Sequence, residues 1–281
     1  MNYIKFVNNL NKVTLKKYLK DNYISKRAYQ DLIKDGILVN GKMVSSNINL
    51  KKDDIIKIKI FEEDYDYEPI RGNLDIVYED ENLLVINKDY GITVNSNNQV
   101  SLANYIAYYF RENNIKAKIR LINRLDMNTS GLMMVAKNKY AQAYYQKQIE
   151  DNLITKKYLA YVEGDMNIDR LYKIKLAYNE DKKCYYENKN GKEAISYFKT
   201  IENNEVYSII ECDIKTGKTH QIRASLSNLG HPIIGDKLYG SNYDKERFLL
   251  HSYFLSFNEF LSKESIILQR HPNFKPFIEI L

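Results

Sequence analysis

Three stretches of the sequence carry polar residues in patterns that could do chemistry. In RLINRLDMNTSGLMMVAKN (120–138), the charged pair Arg124 and Asp126 borders a small polar loop that runs straight into an apolar strand. Such a loop can hold a carboxylate at the lip of a sheet, where a cleft would lie. The run Asp-x-Asn-Thr-Ser-Gly is also good turn chemistry, and on residue types alone a plain turn is the simpler account. In TKKYLAYVEG (155–164), Tyr158 on a strand could offer its ring to a base and its hydroxyl to a proton. It could equally pack the sheet as one of 25 tyrosines. In KTGKTHQIRASLSNLGHPIIGDKLYG (215–240), a turn at Thr216-Gly217-Lys218 precedes a helix with Ile222, Leu226 and Leu229 on one stripe and Gly230 as its stop. His220 and Arg223 are three apart, so they share one face of the first turn, where they could hold an anion or a carboxylate. An ordinary exposed helix start would look the same.

Metal and nucleotide chemistry find little support. The four histidines, at 220, 231, 251 and 271, have no H-x-x-x-H or H-x-x-E-H spacing. No G-x-S-x-G elbow, G-x-G-x-x-G turn or phosphate-binding loop occurs, so no metal and no cofactor is expected.

The elements that would position these residues form two groups. In the first, Thr14 can cap a helix bearing Leu15, Tyr18 and Leu19. Ser25 can cap a second, with Ala28, Leu32 and Ile33 on one stripe and Gly36 after it. Asn40-Gly41 between short apolar runs signals a hairpin, and IIKIKI (55–60) alternates as a strand. The segment FEEDYDYEPIRGN (61–73) reads as a linker. Beyond it, IVYEDENLLVINK predicts two strands, Ser101 caps a helix, residues 131–136 form a buried strand, and Tyr140, Tyr144, Tyr145, Gln148 and Ile149 trace an amphipathic helix. Strands and helices mix without βαβ alternation, which predicts an α+β fold with a mixed, largely antiparallel sheet flanked by helices. The expected domains are 1–60, a small α/β module, and 74–281, a larger unit.

Charge follows the same division. The chain carries +6, yet residues 1–60 hold 13 Lys/Arg against 5 Asp/Glu and the remainder 29 against 31. A basic small module beside a near-neutral large one suggests a unit that holds a polyanion next to one that acts on it. A solvated lysine-rich face is the plainer alternative. No run approaches the ~18 apolar residues of a membrane span, and the Lys- and Asn-punctuated start lacks the apolar run of a signal peptide. With only Cys184 and Cys212, a reducing cytoplasm is the expected location. The abundance of Lys, Asn, Ile and Tyr is read as compositional bias without functional meaning.

Taken together, the three stretches resemble the RluA-type RNA pseudouridine synthases. INRLDMNTSGLMMVAK resembles the family signature H-R-L-D-x-x-T-S-G-L, KKYLAYVEG and TGKTHQIR…LGHPIIGDKLYG match its second and third motifs in order, and RFLLHSYFLSF resembles its C-terminal motif. The likeness runs from about residue 73 onward. Residues 12–60 resemble the S4 RNA-binding module, whose second helix, here starting at Lys26 and Arg27, faces RNA. The resemblance implies isomerisation of uridine to pseudouridine in structured RNA, with large-subunit ribosomal RNA the best expectation. It assigns Asp126 as the essential carboxylate and Arg223 as its ion-pair partner. Tyr158 would stack on the uracil and serve as the base for the C5 proton, and Arg124 would fill the space left by a flipped-out base. Thr129, Ser130 and His220 are implied to contact RNA or support those that do. The expected partner is RNA, bound by a monomer. Asn123 stands where the family usually has His, which implies altered local packing rather than lost activity. A glycoside hydrolase would need a second acid. A catalytically degenerate, ribosome-associated RNA-binding protein is the sharper rival.

Overall fold

A computed structural model describes residues 3–274 and Phe277. The chain opens with a strand not expected from the sequence: β1 (Tyr3–Val7), which buries Ile4 and Phe6 on one face. After β2 (Val13–Thr14), Thr14 caps α1 (Leu15–Asp21) by accepting from Lys17 N–H. Ser25 caps α2 (Lys26–Asp35) by accepting from Ala28 N–H. Both caps satisfy an amide that the first helical turn leaves unpaired. The hairpin β3 (Ile37–Val39) and β4 (Lys42–Met43) turns through Asn40 and Gly41 at φ +48° and +81°, the paired left-handed backbone of a type I′ turn. β5 (Asn49–Leu50) pairs with β2, and β6 (Ile55–Lys59) completes a four-stranded sheet in the order β1-β6-β3-β4.

The larger unit contains β7 (Ile76–Glu79), β8 (Leu83–Lys88), α3 (Leu102–Glu112), β9 (Arg120–Leu121), β10 (Ser130–Ala136), α4 (Lys139–Glu150) and β11 (Thr155–Glu163). It continues with β12 (Asp169–Asn179), β13 (Cys184–Glu187), β14 (Lys192–Asn203), β15 (Tyr207–Ile214), α5 (Gln221–Asn228), β16 (Leu250–Asn258) and β17 (Ser265–Gln269). The described residues build one sheet in the order β13-β12-β14-β15-β11-β16-β10-β8-β7, with β17 on β16 and β9 on β10. β10 and β16 run parallel, and the other pairs are antiparallel. The expected α+β architecture with a mixed sheet is what the chain adopts.

β10 divides the two cores. Its residues alternate, with Leu132, Met134 and Ala136 facing α4 and Met133 and Val135 facing α3. Its first residues approach β16 so closely that a Cβ on Gly131 (φ +118°) would lie 2.3 Å from the Ser252 carbonyl oxygen. Only glycine fits there.

The N-terminal unit shares the α4-side core. Phe6 meets Phe260 edge-on at 5.9 Å, Tyr23 meets Tyr144 at 5.3 Å, and Tyr144 meets Phe260 at 5.1 Å. The Tyr140 hydroxyl donates to the Lys59 carbonyl. Tyr140 and Tyr144, on the stripe that predicts α4, therefore join the two units. Residues 61–73 contain no regular element but lie along the larger unit: Arg120 donates to Glu63 at 2.7 Å, and Asp66 accepts from Ile119 N–H at 2.8 Å. No described helix is long and apolar enough to cross a membrane.

Phe260 is fully buried between the units. Phe260→Ala should cost about 3–5 kcal/mol in urea unfolding. It should also speed proteolytic cutting within 61–73, read by mass spectrometry of the fragments.

Candidate active site

The polar loop between β9 and β10 is both a turn and a platform. Asp126 uses its backbone carbonyl to accept from Thr129 N–H at 3.1 Å, which makes the turn that its residue types suggest. That leaves the carboxylate free. Its Oδ2 accepts from Arg223 Nη1 at 3.1 Å, across 97 residues of chain.

Arg223 lies in the first turn of α5, and its guanidinium is fixed on every side. Nε and Nη2 donate to the two oxygens of Asp236 at 2.6 and 2.8 Å. Phe248 and Tyr239 sandwich the plane, with ring centroids 4.3 and 4.9 Å from Cζ. This two-pronged geometry leaves Nη1 as the arm that faces Asp126. Burial alone would lower the arginine pKa, but the two carboxylates outweigh it and raise the value. The fixing partner, Asp236, was not singled out by the sequence. It sits 13 residues after Arg223, in the GHPIIGDKLYG half of the motif that TGKTHQIR begins, and its only sequence signal is that position.

His220 precedes α5 in left-handed backbone at φ +54°. Tyr239 accepts from Tyr185 N–H at 2.9 Å, and its hydroxyl lies 3.0 Å from His220 Nδ1. The histidine Nε2 lies 3.6 Å from Asp126 Oδ2, beyond hydrogen-bonding distance. Burial and the Arg223 charge lower the histidine pKa against the pull of the carboxylates. The ring is therefore neutral near pH 7.

Tyr158 is buried on β11 beside this group and lines the same cleft. Burial raises its pKa; a Ser252 hydrogen bond opposes that shift and the Asp126 charge adds to it. The phenol stays protonated at neutral pH, so the base role expected of it cannot run through a ready phenoxide. The cleft holds about 510 Å³ and is lined by Asn123, Arg124, Asp126, Thr129, Tyr158, His220 and Arg223, among others. Arg124 is exposed at its lip.

The structure does not gather every expected residue here. Ser130 is buried behind the loop: its hydroxyl lies 2.8 Å from His251 Nδ1 and accepts from Arg247 Nη2 at 2.8 Å. It holds the loop to β16, in keeping with the supporting alternative expected of it. Thr129 reaches the cleft wall, but its carbonyl is bound behind. Lys26 and Arg27 are exposed at the start of α2, outside the cleft lining. Asn123 occupies its position by continuing the β9 ladder with its side chain, accepting from Met134 N–H at 2.8 Å.

One holding residue went unnoticed in the sequence. Lys88, at the end of β8, donates to the carbonyls of Asp89, Met127 and Thr129 at 2.7, 2.9 and 2.9 Å. Burial, with Arg247 nearby, pushes its pKa down to about 8 against the raising effect of Asp89 and Asp126. Among the described residues, no three of His, Cys, Asp and Glu converge as a metal site requires.

His251 supplies a test of this scaffold. Its Nε2 proton goes to the Arg270 carbonyl at 2.9 Å, and burial lowers its pKa to about 4. The unfolded histidine titrates near ~6.5. Its contribution to stability is thus complete above that pH and is lost as pH falls toward 4, where the unfolded chain binds the extra proton. Unfolding free energies measured from about pH 7 to about pH 4.5 should decline by up to roughly 3 kcal/mol from this group, and His251→Gln should flatten that part of the slope.

Comparison with known proteins follows the same residues. Residues 82–228 match the family model described as RNA pseudouridylate synthase. The uncharacterized RNA pseudouridine synthase YhcT of Bacillus subtilis is 36% identical over 226 residues, 77% of this chain and 74% of that protein. Ribosomal large subunit pseudouridine synthase D of Yersinia pestis is 30% identical over 228 residues, 78% of this chain and 69% of that protein. The solved structure of human RNA pseudouridylate synthase domain containing 1 has a TM-score of 0.62 and 26% identity, covering 73% of this chain and 86% of that one. The matched span runs from β8 through α5 and so contains Asp126, Tyr158 and Arg223 together; the chain belongs to the RNA pseudouridine synthases, isomerases that act on RNA.

Proposed function

We propose that this chain isomerises specific uridines of large-subunit ribosomal RNA, with Asp126 as the reacting carboxylate, Arg223 as its fixed partner and Tyr158 as the surface on which the uracil stacks. The observation that carries the reading is the single free arm of Arg223 meeting Asp126 at 3.1 Å beside the buried Tyr158 ring. The Yersinia pestis relative, a ribosomal large subunit synthase, supports that class of RNA.

In the reaction the N1–C1′ bond breaks, the uracil turns while held, and a C5–C1′ bond forms. C5 loses a proton and N1 gains one, so the change is an isomerisation with no oxidant or group donor. Asp126 would attack C1′ or take a proton on a path through a glycal; both uses need its ionised oxygen at the sugar. Tyr158 can accept the C5 proton only as its own hydroxyl proton moves on, so stacking is its primary role. A uridine within a helix must first leave the stack, at a cost of a few kcal/mol. The exposed guanidinium of Arg124 at the lip would fill the gap, since a planar cation can stack as a base does.

Residues 1–60 are read as an S4-like RNA-binding module. Lys26 and Arg27 support this: they are exposed at the start of α2, and among the described residues neither forms an ion pair. A cytoplasmic monomer would hold every group this reading needs.

Tritium release from large-subunit ribosomal RNA carrying [5-³H]uridine tests the activity. Asp126→Asn should abolish release while leaving RNA affinity within a few-fold of wild type. Asp236→Asn removes the charge that fixes Arg223, and should lower kcat about 10²-fold with little change in KM. For the small module, replacing Lys26 and Arg27 together by Ala should lower the slope of log affinity against log salt by about 1.4–1.8, since each phosphate that a cation neutralises adds roughly 0.7–0.9 to it.

A further inference from the structure

We infer that the cleft contains a second binding subsite, built by Lys156 with Gln146 and Ile149, that grips the phosphodiester and base adjoining the reacting uridine; the inference rests on the cleft being the uridine site. These three residues form one wall. Gln146 and Ile149 are three apart on the last turns of α4, and only residues 151–154 separate that helix from β11, where Lys156 is the second residue. Lys156 and Tyr158 line the cleft together, about 7 Å apart along the strand. Lys157 between them turns to the opposite side, pairing with Glu211 at 3.0 Å. A uracil stacked on Tyr158 would therefore leave its neighbour beside Lys156.

The charge around this wall calls for an anion. Lys156 is partly buried, its pKa is lowered by that burial, and among the described residues it has no carboxylate or hydrogen-bond partner. Holding an ammonium out of water without a partner is costly, and a bound phosphate removes the cost. The cleft lining includes the cations Arg124, Lys156, Lys218 and Arg223, whereas its sole carboxylate is Asp126, which Arg223 already engages. This excess is local, because residues 61–281 carry 29 basic against 31 acidic groups. Ile149 offers a partly exposed apolar surface to a base. The exposed Gln146 amide makes no hydrogen bond within the described residues, whereas Gln148 nearby is committed to Asn258. An amide can read a base edge through both a donor and an acceptor.

The test compares wild type with Lys156→Met, Lys156→Arg and Gln146→Ala on [5-³H]uridine-labelled large-subunit ribosomal RNA, with binding measured across a salt series. Lys156→Met should raise KM about tenfold with kcat nearly unchanged. It should lower the salt slope by about 0.7–0.9, the share of one phosphate. Its thermal midpoint should equal or exceed that of wild type, because an unpaired buried charge has been removed. Lys156→Arg should restore the salt slope, and Gln146→Ala should raise KM a few-fold without altering that slope. Unchanged KM and salt slope in Lys156→Met would overturn the inference. So would a loss confined to kcat, or a lowered thermal midpoint, either of which would make Lys156 a support for Tyr158 or the sheet. If wild type releases no tritium, the assignment of the cleft to uridine chemistry fails, while the binding and salt arms still decide whether Lys156 holds a phosphate.

Discussion

The arrangement of the cleft depends on one guanidinium shared unequally between two carboxylates. Asp236 takes two arms of Arg223 in a buried, bidentate pair, and Asp126 receives the third. A lone arginine–aspartate pair at the mouth of a cleft could swing with either long side chain. With Asp236 and the Phe248 and Tyr239 rings holding the plane, only Asp126 retains freedom, and the direction in which it meets a positive neighbour is set. Two carboxylates on one cation also leave it no free arm to turn elsewhere in the cleft.

The loop that carries Asp126 is held to the same standard, from behind and by cations. Lys88 ties three carbonyls together, and Arg247 joins Ser130 to the carbonyl of Leu250. Both are buried, and burial brings their pKa values down to about 8 and about 10. Among the described residues neither is held by a buried carboxylate; their hydrogen-bond partners are backbone and hydroxyl oxygens. Neutral oxygens hold the loop without adding a rival charge.

What the sequence revealed, and what it hid, follows from chain distance. The helices capped by Thr14 and Ser25, the Asn40-Gly41 hairpin and the buried strand at 131–136 are local events, written in residues within one turn or one alternation of each other. Asp126, Arg223 and Tyr158 stand out through their motifs, but the meeting of Asp126 with Arg223 across 97 residues is expected from the family resemblance alone, because no local pattern encodes it. The holding residues were harder. Lys88 looks like a strand-ending lysine, and its acceptors are mostly backbone carbonyls, which every residue has. β1 was missed because exposed Lys5 and Val7 dilute the apolar face formed by Ile4 and Phe6. The tyrosines of α4 were legible as an amphipathic stripe, but their partner was not: Tyr23, 121 residues before Tyr144, meets it edge to face in the joint between units.

That joint gives α4 a double role. One side of the helix buries Tyr140 and Tyr144 against the N-terminal unit and Phe260, while Gln146 and Ile149 look into the cleft. The turn at Tyr23, which rests on Tyr144, leads within a few residues to Lys26 and Arg27. A basic module on a free tether would raise the local concentration of RNA near the cleft without fixing which nucleotide arrives there. Packed aromatic rings on a shared helix instead fix the path between the exposed cations of α2 and Asp126. On the proposed reading of α2 as an RNA-facing helix, an RNA that engages both surfaces presents its uridine at a set distance from α2. Selection of the modified uridine can thus rest on RNA shape as well as on the bases that enter the cleft.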